Sequence, residues 1–194
     1  MLRHLEHGRR LSPDRVCLAR GVARHLGLGE SDAGVVSFAA SVHDVGMTRV
    51  GERVIEGPGS LTREDREAIE RHPEIGAEVL QPLQTVGVVR DIVLAHHEWW
   101  DGTGYPRGLK RDEIPTGARI LAAVDAFESM TVGRPHRPAV APEEALVEMR
   151  RLAGHQFDPG VVEALEKAVM EAKQAADTET EARPLVRGNQ RGGE

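Results

Sequence analysis

Aromatic residues are nearly missing from this 194-residue chain: Phe, Trp and Tyr together make up 3% of it. A core with so few rings must be assembled from Leu, Val, Ile and Ala, and a chain rich in Ala, Leu, Glu and Arg favours helix over strand. Cys17 is the single cysteine, which excludes an internal disulfide and suits a reducing compartment. No run approaches the roughly 20 apolar residues of a membrane-spanning helix. The opening MLRHLEHGRR lacks the apolar stretch of a secretory signal, so a cytoplasmic protein without a membrane partner is expected. The formal charge of −6 works against a nucleic-acid polymer as partner, because such binding needs a basic surface. An anionic small molecule would need a local cluster of cations or metals. The remainder is ordinary for one soluble domain, 40% apolar and 29% charged.

Helix punctuation is legible along the chain. Ser12-Pro13 reads as a helix start, with the helix closing near Gly27-Leu28-Gly29. Ser31 is expected to cap the next helix, whose apolar face is Val35, Val36, Phe38, Ala39 and Val42 and which ends at Gly46. Gly57-Pro58-Gly59 forbids regular structure. Thr62 and Asp65 have capping-box spacing, and Pro73 predicts a break at His72. Further helices are expected from Val86 to about His97, from about Ile114 to Met130, from Pro142, and from Asp158-Pro159. No window alternates as a sheet strand does. The expected organisation is a short segment over 1–11, an all-α helical bundle over 12–170 with a metal centre at helix ends, and a polar tail without an apolar stripe over 171–194.

Nine histidines need explaining. His4, His7, His25, His136 and His155 stand in polar or loop-like surroundings and read as surface residues. His43, His72, His96 and His97 differ, because each falls at a helix end beside another ligand-type residue. Consecutive helical side chains diverge by about 100°, so His43 and Asp44 can aim at one point only where the helix stops. His96-His97 repeats that arrangement, and His72 sits at the Pro73 break. Asp125 lies in a helix of apolar neighbours, where a carboxylate is costly unless something pairs with it. Imidazoles and carboxylates gathered this way suit a pair of divalent metals of the hydrolytic kind.

The strings HDVGM, RHPEIGAEVL, HHEWWDGTGYPRGL, IPTGARILAAVDAFESMT and GRPHRPA, spanning His43 to Arg137, resemble the HD-GYP family of phosphohydrolases. The resemblance implies a phosphodiesterase that opens cyclic di-GMP, or a related cyclic dinucleotide, to pGpG and GMP with iron or manganese. It implies that Asp44 bridges two metals, that His43 and Asp125 complete one site, and that His72, His96 and His97 form the other. Arg134 and Arg137, nine and twelve residues after Asp125, match positions that hold substrate phosphates. Gly104, Tyr105 and Pro106 form the signature loop beside the metals, with Gly104 and Tyr105 implied as substrate-binding and Asp44, Asp101 and Tyr105 as catalytic. Asp101 is expected to orient a ligand imidazole through its free ring nitrogen. A homodimer or a signalling partner is compatible with the family.

Two positions depart from the family pattern. Met47 stands where the family usually has lysine, which removes a donor to phosphate. The string LSPDRV places Leu11 or Ser12 where a ligand histidine usually stands, and His7 is the nearby histidine that would have to substitute. The competing reading is therefore a weakened module that binds a nucleotide or a protein without cleaving it.

Overall fold

Proline, glycine and short polar side chains set the helix boundaries, and the computed structural model describes them over residues 14–50, 62–83, 87–132 and 138–182. The first helix, α1, is Arg15–His25; its expected start at Ser12-Pro13 lies outside the described residues. The second, α2, is Glu30–Val42 with Gly29 at its N-cap, so Ser31 falls inside the first turn and caps nothing. Glu30 explains the earlier start. Its carboxylate favours the positive end of the helix and is tied back to Arg20 at 2.7 Å and Arg24 at 2.6 Å. Thr62 and Asp65 do form a reciprocal capping box, at 3.0 and 3.1 Å, opening α3 (Arg63–Glu70). The break before Pro73 falls at Arg71, one residue earlier than expected. Then α4 (His72–Leu80) takes Pro73 into its first turn, where the missing N–H costs nothing.

The helix expected over 86–97 is α5, Gly87–Ala95, and both His96 and His97 lie in the turn that follows it. Ile114 is extended, as a residue before proline prefers, so α6 begins only at Thr116 and runs to Val132. Helix α7 is Pro142–Leu152. Helix α8 starts at Pro159 as expected but continues to Ala182, through residues expected to belong to the tail. The extension has good helix formers and two tethers, His25 to Glu171 at 3.0 Å and Lys173 to Glu143 at 2.7 Å. An apolar stripe was the wrong criterion there. The described residues form no β-strand, only an isolated bridge between Ala153 and Phe157.

Helix α6 runs through the middle and touches α1, α2, α5, α7 and α8. Ile120, Leu121, Val124 and Phe127 on it are fully buried. The facing surfaces are largely small: Ala19, Val22 and Ala23 of α1, and Ala33, Val36, Ala39 and Ala40 of α2. Phe38, expected in the core, is 44% exposed, because it falls on the far side of α2 from Val36 and Ala40.

After Val42 the chain tightens into a 3-10 helix, His43–Arg49, which packs on α4. Gly46 makes that contact possible. A methyl group there would overlap the carbonyl of His72 and lie 2.7 Å from the amide nitrogen of Gly76. Gly46→Ala is therefore expected to separate His43-Asp44 from His72 and to cost about 1–3 kcal/mol or more, read by chemical denaturation. Unchanged stability would show that the two segments do not pack this closely.

Candidate metal centre

Three histidines use the same local device. His43, His72 and His96 each stand just past a helix C-terminus, where the last carbonyls have no partner within the helix. Each turns its Nδ1–H onto the carbonyl three residues earlier: Ala40 at 3.0 Å, Ile69 at 2.6 Å and Val93 at 2.6 Å. That bond leaves Nε2 to face inward. The three rings are buried, and Nε2 of His72 lies 3.2 Å from Nε2 of His96. Two ring nitrogens that close, both with Nδ1 already donating, repel unless a proton or a cation lies between them. The donor set therefore fits a metal.

Asp44 stands between two halves of this cluster. Its Oδ2 is 3.0 Å from Nε2 of His43, and its Oδ1 is 3.5 Å from Nε2 of His72. The carboxylate is 55% exposed, at the mouth of the cluster. Asp125 approaches from α6, with Oδ1 3.6 Å from Nε2 of His43. His97 completes the group and stacks on Tyr105 with ring centroids 4.9 Å apart. Ligand atoms of His72, His96 and His97 lie within 4.8 Å of one another, and so do those of His43, Asp44 and His96. All six expected ligands are thus brought together. His96 belongs to both triads and lies closer to His43 than the expected division implies.

The remaining expected residues are distributed differently. Tyr105 lies over the cluster, its amide donating to the carbonyl of His97 at 3.1 Å. Gly104 acts through its lack of a side chain: a Cβ would overlap Trp99 and lie 2.7 Å from the carbonyl carbon of Glu98. Asp101 does not orient a ligand imidazole. Its carboxylate accepts from Thr103 and pairs with His155, while backbone carbonyls take the orienting role expected of it. His155 is accordingly tied to the loop and is more than a free surface residue. Arg134, Arg137, Leu11, Ser12 and His7 lie outside the described residues. Met47 lies half-buried in the 3-10 helix.

Sequence reasoning missed two groups. Glu98, 2% exposed, accepts the amides of Arg107 at 2.7 Å and Leu109 at 3.0 Å and so holds the signature loop from beneath. Its signal was its place directly after His96-His97. Arg15 reaches from α1 into the cluster, with Nη1 2.9 Å from Nε2 of His43 and Nη2 3.0 Å from Oδ1 of Asp125, and it also pairs with Glu128. Its only signal was its place in LSPDRV.

The electrostatics divide the cluster. Burial lowers the imidazoles of His72, His96 and His97, His97 to about 4, so these three are neutral at pH 7. Burial also pulls on His43, but hydrogen bonds to Asp125 and Asp44 win and raise it to about 9. Desolvation opposes ionisation of Asp44 and Asp125, yet His43 holds both below the usual carboxylate range, with Arg15 assisting at Asp125. The phenol of Tyr105 is raised by burial and by Glu70, Asp125 and Asp44, so it stays protonated.

These shifts predict a stability optimum for the metal-free protein. His97 is depressed from 6.5 to about 4, so between those values the unfolded chain binds the extra proton and stability rises with pH. His43 is raised from 6.5 to about 9, so its contribution is complete below 6.5 and is lost as pH rises to 9. Denaturation of chelator-treated protein from pH 4 to 9 should give a maximum near 6.5. A midpoint that climbs steadily from 6 to 9 would contradict the assignment of His43.

A family model described as an HD domain matches residues 3–161. A cyclic di-GMP phosphodiesterase of Thermotoga maritima is 39% identical over 154 residues, covering 77% of this chain and 41% of that protein. The cyclic di-GMP phosphodiesterase response regulator RpfG of Xanthomonas campestris pv. campestris is 39% identical over 146 residues, covering 74% and 39%. The 3'3'-cGAMP-specific phosphodiesterase 2 of Vibrio cholerae is 34% identical over 154 residues, covering 78% and 30%. The chain thus spans about two fifths or less of the length of these curated relatives. Among solved structures, Bd1817, an HDG"Y"P protein from Bdellovibrio bacteriovorus, superposes with a TM-score of 0.66 at 21% identity, covering 80% of this chain and 50% of that one, and supports the fold. With the family model covering most of the chain and the HD and GYP segments meeting in one cluster, the chain belongs to the HD domain family, in its HD-GYP branch.

Proposed function

We propose that this chain is the hydrolytic unit of a metal-dependent phosphodiesterase for cyclic di-GMP or a related cyclic dinucleotide, yielding pGpG or GMP, with iron or manganese as the metal. The observation that carries the reading is the position of Asp44, one oxygen toward His43 and the other toward His72. That is the arrangement a carboxylate needs to serve two cations at once. The relatives named as cyclic di-GMP and 3'3'-cGAMP phosphodiesterases support the substrate class.

His43, Asp44 and Asp125 would hold one cation and His72, His96 and His97 the other, with Asp44 shared. Bound there, a pair of divalent cations supplies Lewis-acid charge at a phosphate and acidity for a water. Neutral imidazoles at His72, His96 and His97 offer lone pairs without first losing protons. Tyr105, held protonated, offers an O–H beside His97 to a substrate oxygen. Arg134 and Arg137 would grip the phosphates, since a guanidinium fork binds phosphate oxygens in pairs. A second reading, a nucleotide-binding module with little turnover, is favoured by Met47 and by the missing histidine at Leu11 or Ser12.

Asp44→Asn should lower metal content at both sites and abolish hydrolysis of cyclic di-GMP, measured by elemental analysis and chromatography of products. A variant that keeps both metal and turnover would remove the bridging role. Arg134→Ala should leave metal content alone and weaken nucleotide binding by about 1.5–3 kcal/mol, read by calorimetry. Met47→Lys separates the two readings. A gain on the order of tenfold in turnover, about 1.4 kcal/mol, indicates an enzyme handicapped at that position. Binding without turnover in both forms indicates the module.

A further inference from the structure

The half of the cluster around His43 already holds a cation of the protein's own. Arg15 places Nη1 2.9 Å from Nε2 of His43 and Nη2 3.0 Å from Oδ1 of Asp125. The other ring nitrogen of His43 is committed to the carbonyl of Ala40, so Nε2 is the only nitrogen it can offer a metal. We propose that Arg15 gates this half of the site: its guanidinium and a divalent cation exclude one another there, and the two halves therefore load in order. The inference rests on the metal-centre reading above.

Three observations support the gate. The atoms are shared, since a cation on Nε2 of His43 and on Asp125 takes the place of the two nitrogens of Arg15. The charges are alike, and a guanidinium within a few ångströms of a divalent ion repels it in any medium. The arginine also has somewhere to stay when displaced. Glu128 lies one helical turn beyond Asp125 on α6 and already pairs with Arg15. Among the described residues its buried Nε has no hydrogen-bond partner. Among the described residues the other half has no such competitor: the contacts of His72, His96 and His97 there are to one another, to His43, Asp44 and Tyr105, and to backbone carbonyls. The order of filling is thus His72, His96 and His97 first, and His43, Asp44 and Asp125 only after Arg15 has moved aside toward Glu128.

The test is a calorimetric titration of the full chelator-stripped chain with Mn2+, comparing wild type with Arg15→Met, which keeps an unbranched stem like that of arginine and removes the charged head. The wild type should bind in a tight and a weak step. Arg15→Met should tighten the weak step by about tenfold or more and leave the tight step alone. Arg15→Lys retains a charge but not the fork that spans His43 and Asp125, so it should fall between the two, and it serves if the Met variant does not fold. A weak step that is unchanged or weaker in either folded variant would overturn the gate and make Arg15 a support for the ligands. If the wild type takes up no Mn2+ in either step, the metal centre itself is refuted and the gate falls with it. If His97→Ala abolishes the weak step instead of the tight one, the order proposed here is wrong.

Discussion

The site depends on where three imidazole protons go. A histidine at the end of a helix meets carbonyls that the helix itself cannot satisfy, and His43, His72 and His96 each give Nδ1–H to one of them. A single bond thus closes a helix end, restrains a ring and selects the nitrogen that looks inward. Because the bonds come from α2, α3 and α5, three helix C-termini converge on the cluster with their negative ends. The fold thereby builds a place for positive charge from its backbone before any carboxylate is counted. Asp44 and Asp125 add to a field that already has that sign. Arg15 is the protein's own answer to it.

Close approach of backbones makes this convergence possible. Gly46 lets the 43–49 turn lie directly on α4, and Gly104 lets the signature loop lie against the backbone of His97, Glu98 and Trp99. Gly117 makes room for a side chain instead, that of Ile92, between α6 and α5. The small residues of α1 and α2 continue the pattern across the core. A chain with few aromatics packs its helices nearer to one another, and here that closeness places side chains from five segments within a few ångströms. Glu98 adds the last restraint by holding the loop amides of Arg107 and Leu109 from a buried position.

Much of this was legible in the sequence, for reasons that are local. Proline at 142 and 159 and the Thr62–Asp65 pair mark helix starts, and Pro73 marks a break, through chemistry that acts within a turn. Five of the six proposed ligands were recognisable because ligand-type residues recurred at helix ends, and Asp125 because a carboxylate stood among apolar neighbours. What was not legible depended on competition between side chains and on contacts made in the folded chain. Ser31 lost the cap position to Gly29, because Glu30, paired with Arg20 and Arg24, opens the helix. Phe38 missed the core because one apolar residue within a helical turn does not say which side faces inward. The helix beyond Glu171 is held by His25 and Glu143, neither of them near it in the chain. Asp101 was taken from orienting a ligand by Thr103 and His155. Arg15 was unreadable for the same reason, since the acids it meets come more than a hundred residues later.

The scarcity of rings has a spectroscopic consequence. Trp99 and Trp100 are the two tryptophans of the chain, and both stand in the loop that follows His96-His97. Trp99 meets the ring of His155, and Trp100 lies under the guanidinium of Arg119. The indole emission of this protein is therefore a signal from the loop beside the cluster and not from the hydrophobic interior, which holds no tryptophan among its fully buried side chains. Emission and far-ultraviolet dichroism follow different parts of the molecule, one the loop and the other the helices. A titration followed by both would show whether the loop lets go before the bundle does.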